Sequence, residues 1–147
     1  LFRSPDTGAL AATDPAPAYA SGDAQSGKVP QLVAAAYTYN KKDDKITTNY
    51  AIDAAAGTLV MQGSKEGDTP VVSPNTGQLR TVGPLGTGPL LGASFDISDV
   101  SNTALAVVRT AANTRSTLHL LDLNTGKATL LGVVGDGSAL VGMAIEP

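Results

Sequence analysis

The chain has 147 residues, a net charge of −3 at pH 7, 42% hydrophobic and 4% aromatic residues, and neither Cys nor Trp. This composition is typical of one globular domain, and the small and β-branched residues favour closely packed strands. The scattered basic residues predict no nucleic-acid or anionic-membrane partner, and the absence of Cys excludes disulfides, thiolate metal sites and Cys nucleophiles.

The chain opens on a short strand that ends at Arg3, followed by the turn Pro5-Asp6-Thr7-Gly8 and a return strand over residues 9–13. The first residues hold no initiating Met and no signal peptide, so we expect a mature product or a fragment. No apolar run reaches the roughly 18 residues that cross a bilayer, and no membrane span is expected.

Residues 14–28 are rich in Ala, Pro, Ser and Gly, and they are predicted to form a long loop. A first set of strands follows at residues 32–40, 46–53, 58–62 and 78–82, with a short Val71-Val72 segment before the last. A helix is the alternative for the Ala-rich part of 32–40. Its short length and its Tyr-Thr-Tyr ending favour a strand. Residues 41–45 form a charged hairpin tip.

A second set of strands is predicted at residues 93–98, 104–109, 117–121 and 128–131, in the order of a four-stranded meander. The Gly-rich stretches 86–92 and 135–142 each lead into a new strand, and the second of these strands begins at Met143.

A repeat connects the two sets. Ser73-Pro74-Asn75-Thr76-Gly77 and Asp122-Leu123-Asn124-Thr125-Gly126 begin 49 residues apart, and Ser4-Pro5-Asp6-Thr7-Gly8 matches the first of them. A spacing of about 50 residues is typical of propellers and other blade arrays. The fold class is therefore predicted to be all-β, as a propeller-like array of four-stranded antiparallel blades that is incomplete within this chain.

We divide the single β-repeat domain, residues 1–147, into five parts. Residues 1–14 are the end of one blade, 15–31 a loop, 32–86 a blade, 87–135 a blade, and 136–147 the first strand of a further blade. Closed propellers need about four to eight blades. Either the remaining blades lie elsewhere in a longer protein, or copies complete each other's sheets by strand addition.

Five stretches resemble a known family, the bacterial proteins classed as domain of unknown function 4394. They are residues 1–8, Ala34-Ala35-Ala36-Tyr37-Thr38, Tyr50-Ala51-Ile52-Asp53, residues 81–86 and residues 121–126. The resemblance covers nearly the whole chain. It implies export, a propeller-like β-repeat fold and a missing N-terminal half, and it supplies no catalytic residues because the family has no established activity.

His119 and the acidic residues are the first candidates for chemistry. The only His, His119, lies in a strand on the face opposite Leu118 and Leu120, and we expect a structural or inter-blade hydrogen-bonding role rather than general-base or metal chemistry. Asp53 and Asp122 both precede turns, where a carboxylate accepts backbone N–H bonds; calcium ligation is the alternative. Asp43 and Asp44 lie among Lys residues in a solvated tip.

Arg109 and Arg115 flank a polar tip. We expect them to be charged residues that keep a hairpin end from pairing with other chains; binding of an acidic group is the alternative. Tyr37 and Tyr39 share one strand face and are predicted to pack between sheets, while Tyr50 is a further candidate for ligand contact. The paired G-x-G segments lack the pattern of a phosphate-binding loop, and Gly92-Ala93-Ser94-Phe95-Asp96 misses the nucleophile-elbow pattern.

We therefore assign no catalytic, cofactor-binding or metal-binding residue, and no cofactor. The expected function is a non-enzymatic scaffold or interaction module, exported to an extracellular or periplasmic location in a bacterium. It is completed by another chain or by the missing half, as part of an oligomer or larger assembly. Two alternatives stay open. One is a propeller enzyme or small-ligand binder whose site lies mainly on other blades, and the other is a structural subunit that self-assembles by strand addition.

Overall fold

The computed structural model describes residues 2–4, 6–43 and 46–146. The predictions for Leu1, Pro5, Asp44 and Lys45 concern residues outside the described part of the chain. Eleven strands and one short 3-10 turn make up the regular structure of the described residues, which is all-β as predicted. Within that part of the chain, no helix is long and apolar enough to cross a membrane.

Three sheets contain the strands. The strand bounds are β1 Phe2–Arg3, β2 Leu10–Ala12, β3 Ala18–Tyr19, β4 Leu32–Tyr37, β5 Asn49–Asp53, β6 Thr58–Gln62, β7 Gln78–Pro84, β8 Leu90–Ile97, β9 Ala104–Thr110, β10 Thr117–Leu121 and β11 Ala128–Val133. Strands β1 and β2 form a hairpin, as predicted. We call the five-stranded sheet, in the order β3-β7-β6-β5-β4, the first sheet, and the four-stranded sheet, in the order β11-β10-β9-β8, the second sheet.

The two larger sheets pack face to face, because each has one side lined by apolar residues. The shared core contains Tyr50, Ile52 and Leu59 from the first sheet and Phe95 and Ile97 from the second. The opposite side of the first sheet is also buried, around Ala51, Val60 and Leu79 together with Tyr19. Burial of this apolar area is the main driving force for the arrangement. The first sheet is thus covered on both sides and the second mainly on one.

The second sheet is the antiparallel meander that the sequence predicts, and three of its strands, β8, β9 and β11, extend beyond the predicted bounds at one end. Three predictions are wrong. The predicted loop 14–28 contains β3, which pairs in parallel with β7. The Val71-Val72 segment and the stretch from Met143 to Glu146 form no strand. A strand needs backbone partners on a neighbour, whereas the N–H of Ile145 donates to a side chain, Oδ2 of Asp96, at 2.7 Å.

Candidate functional site

The side of the second sheet that points away from the first sheet is an apolar surface without a covering sheet. We call it the outward face, and it consists of Leu105, Val107, Leu118, Leu120 and Leu131. Leu120 is 41% exposed and Leu131 is 55% exposed. A cluster of exposed aliphatic side chains on one face often marks an interaction surface.

Residues 137–145 run beside one margin of the outward face and are held there by Ser116, which is fully buried. The N–H of Ser116 donates to the carbonyl of Gly137 at 2.9 Å, and its hydroxyl donates to the carbonyl of Ser138 at 2.6 Å. The same hydroxyl accepts from the N–H of Leu140 at 3.1 Å. A hollow of about 180 Å³ remains between this segment and β8, lined in part by Val107. The segment therefore covers one margin and leaves Leu120 and Leu131 exposed.

Two glycines at corresponding positions of the two larger sheets have opposite surroundings. A Cβ on Gly83 of β7 would overlap the carbonyl oxygen of Thr125 in the β10–β11 turn. The equivalent atom on Gly132 of β11 would have no atom within 4 Å. Glycine allows such close approach of backbone to backbone, so Gly83 is needed where it lies, while the space next to Gly132 is open.

The Asn-Thr-Gly turns are held by their own side chains, as predicted for Asp122. Its Oδ1 accepts the N–H of Asn124 at 2.8 Å and of Thr125 at 3.3 Å. These bonds lower the pKa of the Asp122 carboxyl, the bond from Asn124 most of all. Gly126 follows with φ of 78°, a left-handed conformation that favours glycine. The carboxylate is thus used by the turn, in agreement with the predicted turn role.

Asp53 has the predicted turn role and a second one. Its Oδ1 accepts the N–H of Ala55 at 2.9 Å and of Ala56 at 3.2 Å. Its Oδ2 accepts a hydrogen bond from the hydroxyl of Tyr19. No sequence pattern pointed to this pair, because the two residues are separated by 34 positions and Tyr19 lies in a predicted loop.

A second contact holds residues 14–31, the segment that contains Tyr19, to the first sheet. The carboxylate of Asp23 accepts from both the N–H and the hydroxyl of Thr81 at 2.7 Å, and from the N–H of Gln25 at 2.8 Å. Burial by itself raises the pKa of the Asp23 carboxyl, but these hydrogen bonds outweigh burial and the pKa lies below its ordinary value. Residues 14–31 are therefore tied to β5 and β7.

A polar cleft of about 510 Å³ lies between the two larger sheets, at the end where β8 turns into β9. Lys65 Nζ donates across it to Asn124 Oδ1 at 3.0 Å. Tyr50 lines the cleft, although only 2% of its surface is accessible to solvent. Its hydroxyl makes no hydrogen bond among the described residues, and it is not one of the buried polar atoms without a partner, which are Asn49 Oδ1 and Thr58 Oγ1. Burial, followed by the charge of Asp68, raises the pKa of Tyr50.

The remaining candidate residues do not converge. His119 is buried on the side opposite Leu118 and Leu120, as its alternation predicts, and its Nδ1 lies 3.1 Å from the carbonyl oxygen of Thr117. Arg115 Nη2 donates to the carbonyl of Asp136 at 3.4 Å, whereas Arg109 lies beside the 180 Å³ hollow. The two Arg side chains therefore do not share a contact.

The prediction that Tyr37 and Tyr39 pack between the sheets is wrong. Tyr37 is 55% exposed and Tyr39 is also exposed. The second sheet covers the face of β4 that carries Ala34 and Ala36, and the alternation of β4 places Tyr37 on the other face. Among the described residues, no group of three or more His, Cys, Asp or Glu side chains is placed to hold a metal ion.

Comparison with known proteins gives one match. A family model described as "Domain of unknown function (DUF4394)" matches residues 1–144. No curated protein and no solved structure matches the chain.

Proposed function

The chain belongs to the DUF4394 family, and from this premise we propose that it is a non-enzymatic, exported scaffold or interaction module. In this proposal the chain is part of a propeller-like array of four-stranded units of about 50 residues. The outward face of the second sheet receives the next unit of the array.

The backbone pairing of the two larger sheets supports the array. In the first sheet Leu59 lies opposite Gly83, and a β-bulge follows directly. In the second sheet Leu118 lies opposite Gly132, and a β-bulge follows at the same place. A β-bulge inserts one extra residue into one strand of a pair. Because both sheets have a bulge at the same place, aligning the two bulges shows which residues of the first sheet correspond to which residues of the second.

The correspondence extends over the whole sheet. Counting along the paired strands, the residues Tyr50, Ile52, Leu59, Met61 and Val82 of the first sheet correspond to Leu105, Val107, Leu118, Leu120 and Leu131 of the second. The first set lies in or against the core between the sheets. The observation that carries the proposal is that the outward face repeats, position by position, a face that the same chain buries under another sheet.

An internal duplication tests the array. A chain that carries residues 86–134 twice in succession contains one more four-stranded unit, and the proposal predicts that this unit folds on the outward face. We expect one cooperative unfolding transition, with slow hydrogen exchange in the strands of the added unit. The matched control is the same duplication with Leu120→Lys and Leu131→Lys in the first of the two units, where Lys replaces the side chains that become buried. Rapid exchange throughout the added unit of the unmodified duplication would contradict the proposal.

A small-ligand binder is the second candidate, and the cleft beside Tyr50 favours it. A phenol hydroxyl that lines a cleft and has no protein partner can form a hydrogen bond with a ligand or with water. Ligand-observed NMR with a panel of small hydroxylated molecules distinguishes a ligand binder from a scaffold. Tyr50→Phe abolishes binding only if the Tyr50 hydroxyl contacts the ligand. A turnover that depends on an acid and base pair would favour an enzyme and contradict the scaffold. The extracellular or periplasmic location stays a prediction that rests on the family resemblance.

A further inference from the structure

We propose that the outward face of the second sheet binds the β1–β2 hairpin of a second copy of this chain, with Asp6, Thr7 and Gly8 of the hairpin turn next to Gly132. The inference rests on the proposed function, because it takes the outward face as an interaction surface and names the partner. The partner is argued from how the two Asn-Thr-Gly turns, which begin at Ser73 and Asp122, pack.

The turn that begins at Asp122 packs on β7 of the first sheet. Its Gly126 approaches Gly83 so closely that a Cβ on Gly126 would lie 2.5 Å from the carbonyl oxygen of Gly83. The next strand then starts with the N–H of Ala128 donating to the carbonyl of Leu85 at 3.0 Å. Ala128, two residues after the glycine, packs against the shared core.

The turn that begins at Ser73 packs in a similar way against a different partner. A Cβ on Gly77 would lie 3.0 Å from the carbonyl oxygen of Pro15. Leu79, again two residues after the glycine, is fully buried. In both turns, therefore, the glycine faces a neighbouring backbone and the second residue after it packs in the interior.

The turn that begins at Ser4 has the same internal hydrogen bonds. Ser4 Oγ accepts the N–H groups of Asp6 and Thr7 at 3.3 Å, and Thr7 Oγ1 accepts the N–H of Ala9 at 3.3 Å. The φ of Gly8 is 69°, against 68° for Gly77. Yet Leu10, which corresponds to Leu79, is 55% exposed. This hairpin thus has the form of the packed turns without a sheet under its Leu.

The outward face offers the apolar sheet surface that Leu10 of the hairpin lacks in its own chain. Gly132 corresponds to Gly83, on which the Asp122 turn sits, and its surroundings are open. Leu120 and Leu131 lie beside it and are exposed. The Asp6-Thr7-Gly8 turn of a second copy, placed on Gly132 as the Asp122 turn is placed on Gly83, brings the following Leu10 onto these two side chains.

The hairpin and the outward face are different surfaces of the chain, so the contact between copies is head-to-tail. Such heterologous contacts produce closed rings or open filaments rather than simple two-fold dimers. This property distinguishes the proposed contact from an apolar face that pairs with itself.

Two variants of the 147-residue chain test the contact. Gly132→Ala adds one methyl group, which has free space in a single chain and overlaps the docked turn. Leu10→Asp places a charge on the hairpin and leaves the outward face unchanged. Sedimentation over a wide concentration range measures the association of each variant, alone and mixed in equal amounts, and circular dichroism verifies the fold.

For the unmodified chain we expect the weight-average mass to at least double as the concentration rises. Each variant alone stays a single chain, because one of its two surfaces is blocked. The mixture forms pairs and nothing larger, since the hairpin of the Gly132→Ala chain still fits the outward face of the Leu10→Asp chain. A mixture that stays at the mass of one chain, or variants that associate like the unmodified chain, would overturn the inference.

An unmodified chain that stays a single chain at every concentration also overturns the inference. The array of the proposed function and the second copy as partner are tested by different results. If the duplicated unit folds on the outward face while the unmodified chain does not associate, the array stands and only the second copy is wrong as the partner.

Discussion

The hydroxyl of Tyr19 donates a hydrogen bond to Oδ2 of Asp53 and so joins β3 to the end of β5. Asp53 is almost fully buried, and its other carboxylate oxygen accepts N–H groups of the turn that follows. Burial raises the pKa of the Tyr19 hydroxyl, and the hydrogen bond and charge of Asp53 raise it further. One buried carboxylate therefore holds both the β5–β6 turn and the segment that covers the far side of the first sheet.

Tyr19→Phe removes the hydroxyl and keeps the ring. We expect the free energy of unfolding to fall by about 2 kcal/mol, because a buried hydrogen bond to a charged group is lost. Urea denaturation followed by circular dichroism measures the change. Tyr37→Phe is the control, because the exposed Tyr37 hydroxyl has only a 3.4 Å contact with Asn49 Nδ2. An equal loss in both variants would contradict a specific role for the Tyr19–Asp53 bond.

The contact between Asp23 and Thr81 makes stability depend on pH. Because the pKa of Asp23 is lower in the folded chain than its ordinary value of 3.8, its contribution to stability is present above that value. The contribution is lost as the pH falls through the lower, folded pKa. We expect Asp23→Asn to lower the free energy of unfolding at pH 7 by about 1 kcal/mol and to have a smaller effect in strong acid.

Urea denaturation at a series of pH values measures this difference, with Asp99→Asn as the control because Asp99 is exposed and lies outside the contact. A difference between the unmodified chain and Asp23→Asn that grows on acidification would show that the sign is wrong.

Asn102 combines a left-handed backbone, with φ of 56°, and a bridge between the sheets. Its Oδ1 accepts the N–H of Tyr39 at 2.6 Å, and its Nδ2 donates to the carbonyl of Tyr39 at 2.9 Å. Asn102→Gly keeps the backbone conformation and loses the bridge, with an expected cost of about 1 kcal/mol. Asn102→Ala also strains the backbone, which adds about 1–2 kcal/mol. Thermal or urea unfolding compares the two, and equal stability of the Gly and Ala variants would contradict the strain.

Gly83 and Gly132 differ in surroundings and correspond in position. Gly83→Ala forces a Cβ into the carbonyl of Thr125, and we expect a loss of about 1–3 kcal/mol of unfolding free energy. Gly132→Ala has open space, and at low protein concentration we expect a change within about 0.5 kcal/mol. Differential scanning calorimetry of the two variants measures the contrast. Similar losses in both variants would contradict the close contact at Gly83 as the cause of the destabilisation.

Strand alternation and turn residues made most of the fold predictable. The second sheet and the β1–β2 hairpin follow from them, and so do the turn role of Asp122 and the side of the strand on which His119 lies. Each of these depends on residues close in sequence, where steric preferences and local hydrogen bonds determine the conformation.

Long-range contacts decided the rest. The two residues of β3 have no periodicity to recognise, and they pair with β7 because Tyr19 reaches Asp53 and Asp23 reaches Thr81. Tyr37 is exposed because the second sheet covers the other side of β4. A sequence pattern gives the spacing of apolar residues along a strand, and it does not give which of two apolar faces another sheet will cover.

The sequence by itself determined that this protein is built from short antiparallel strands, and it placed the Asn-Thr-Gly turns that separate them. Only the tertiary structure decided that one Gly of a corresponding pair carries a turn while the other is open, and that the side chains around the open Gly repeat a buried face. The reason is physical: a turn is specified by the local conformations of a few residues, whereas a sheet interface depends on surfaces brought together from distant parts of the chain.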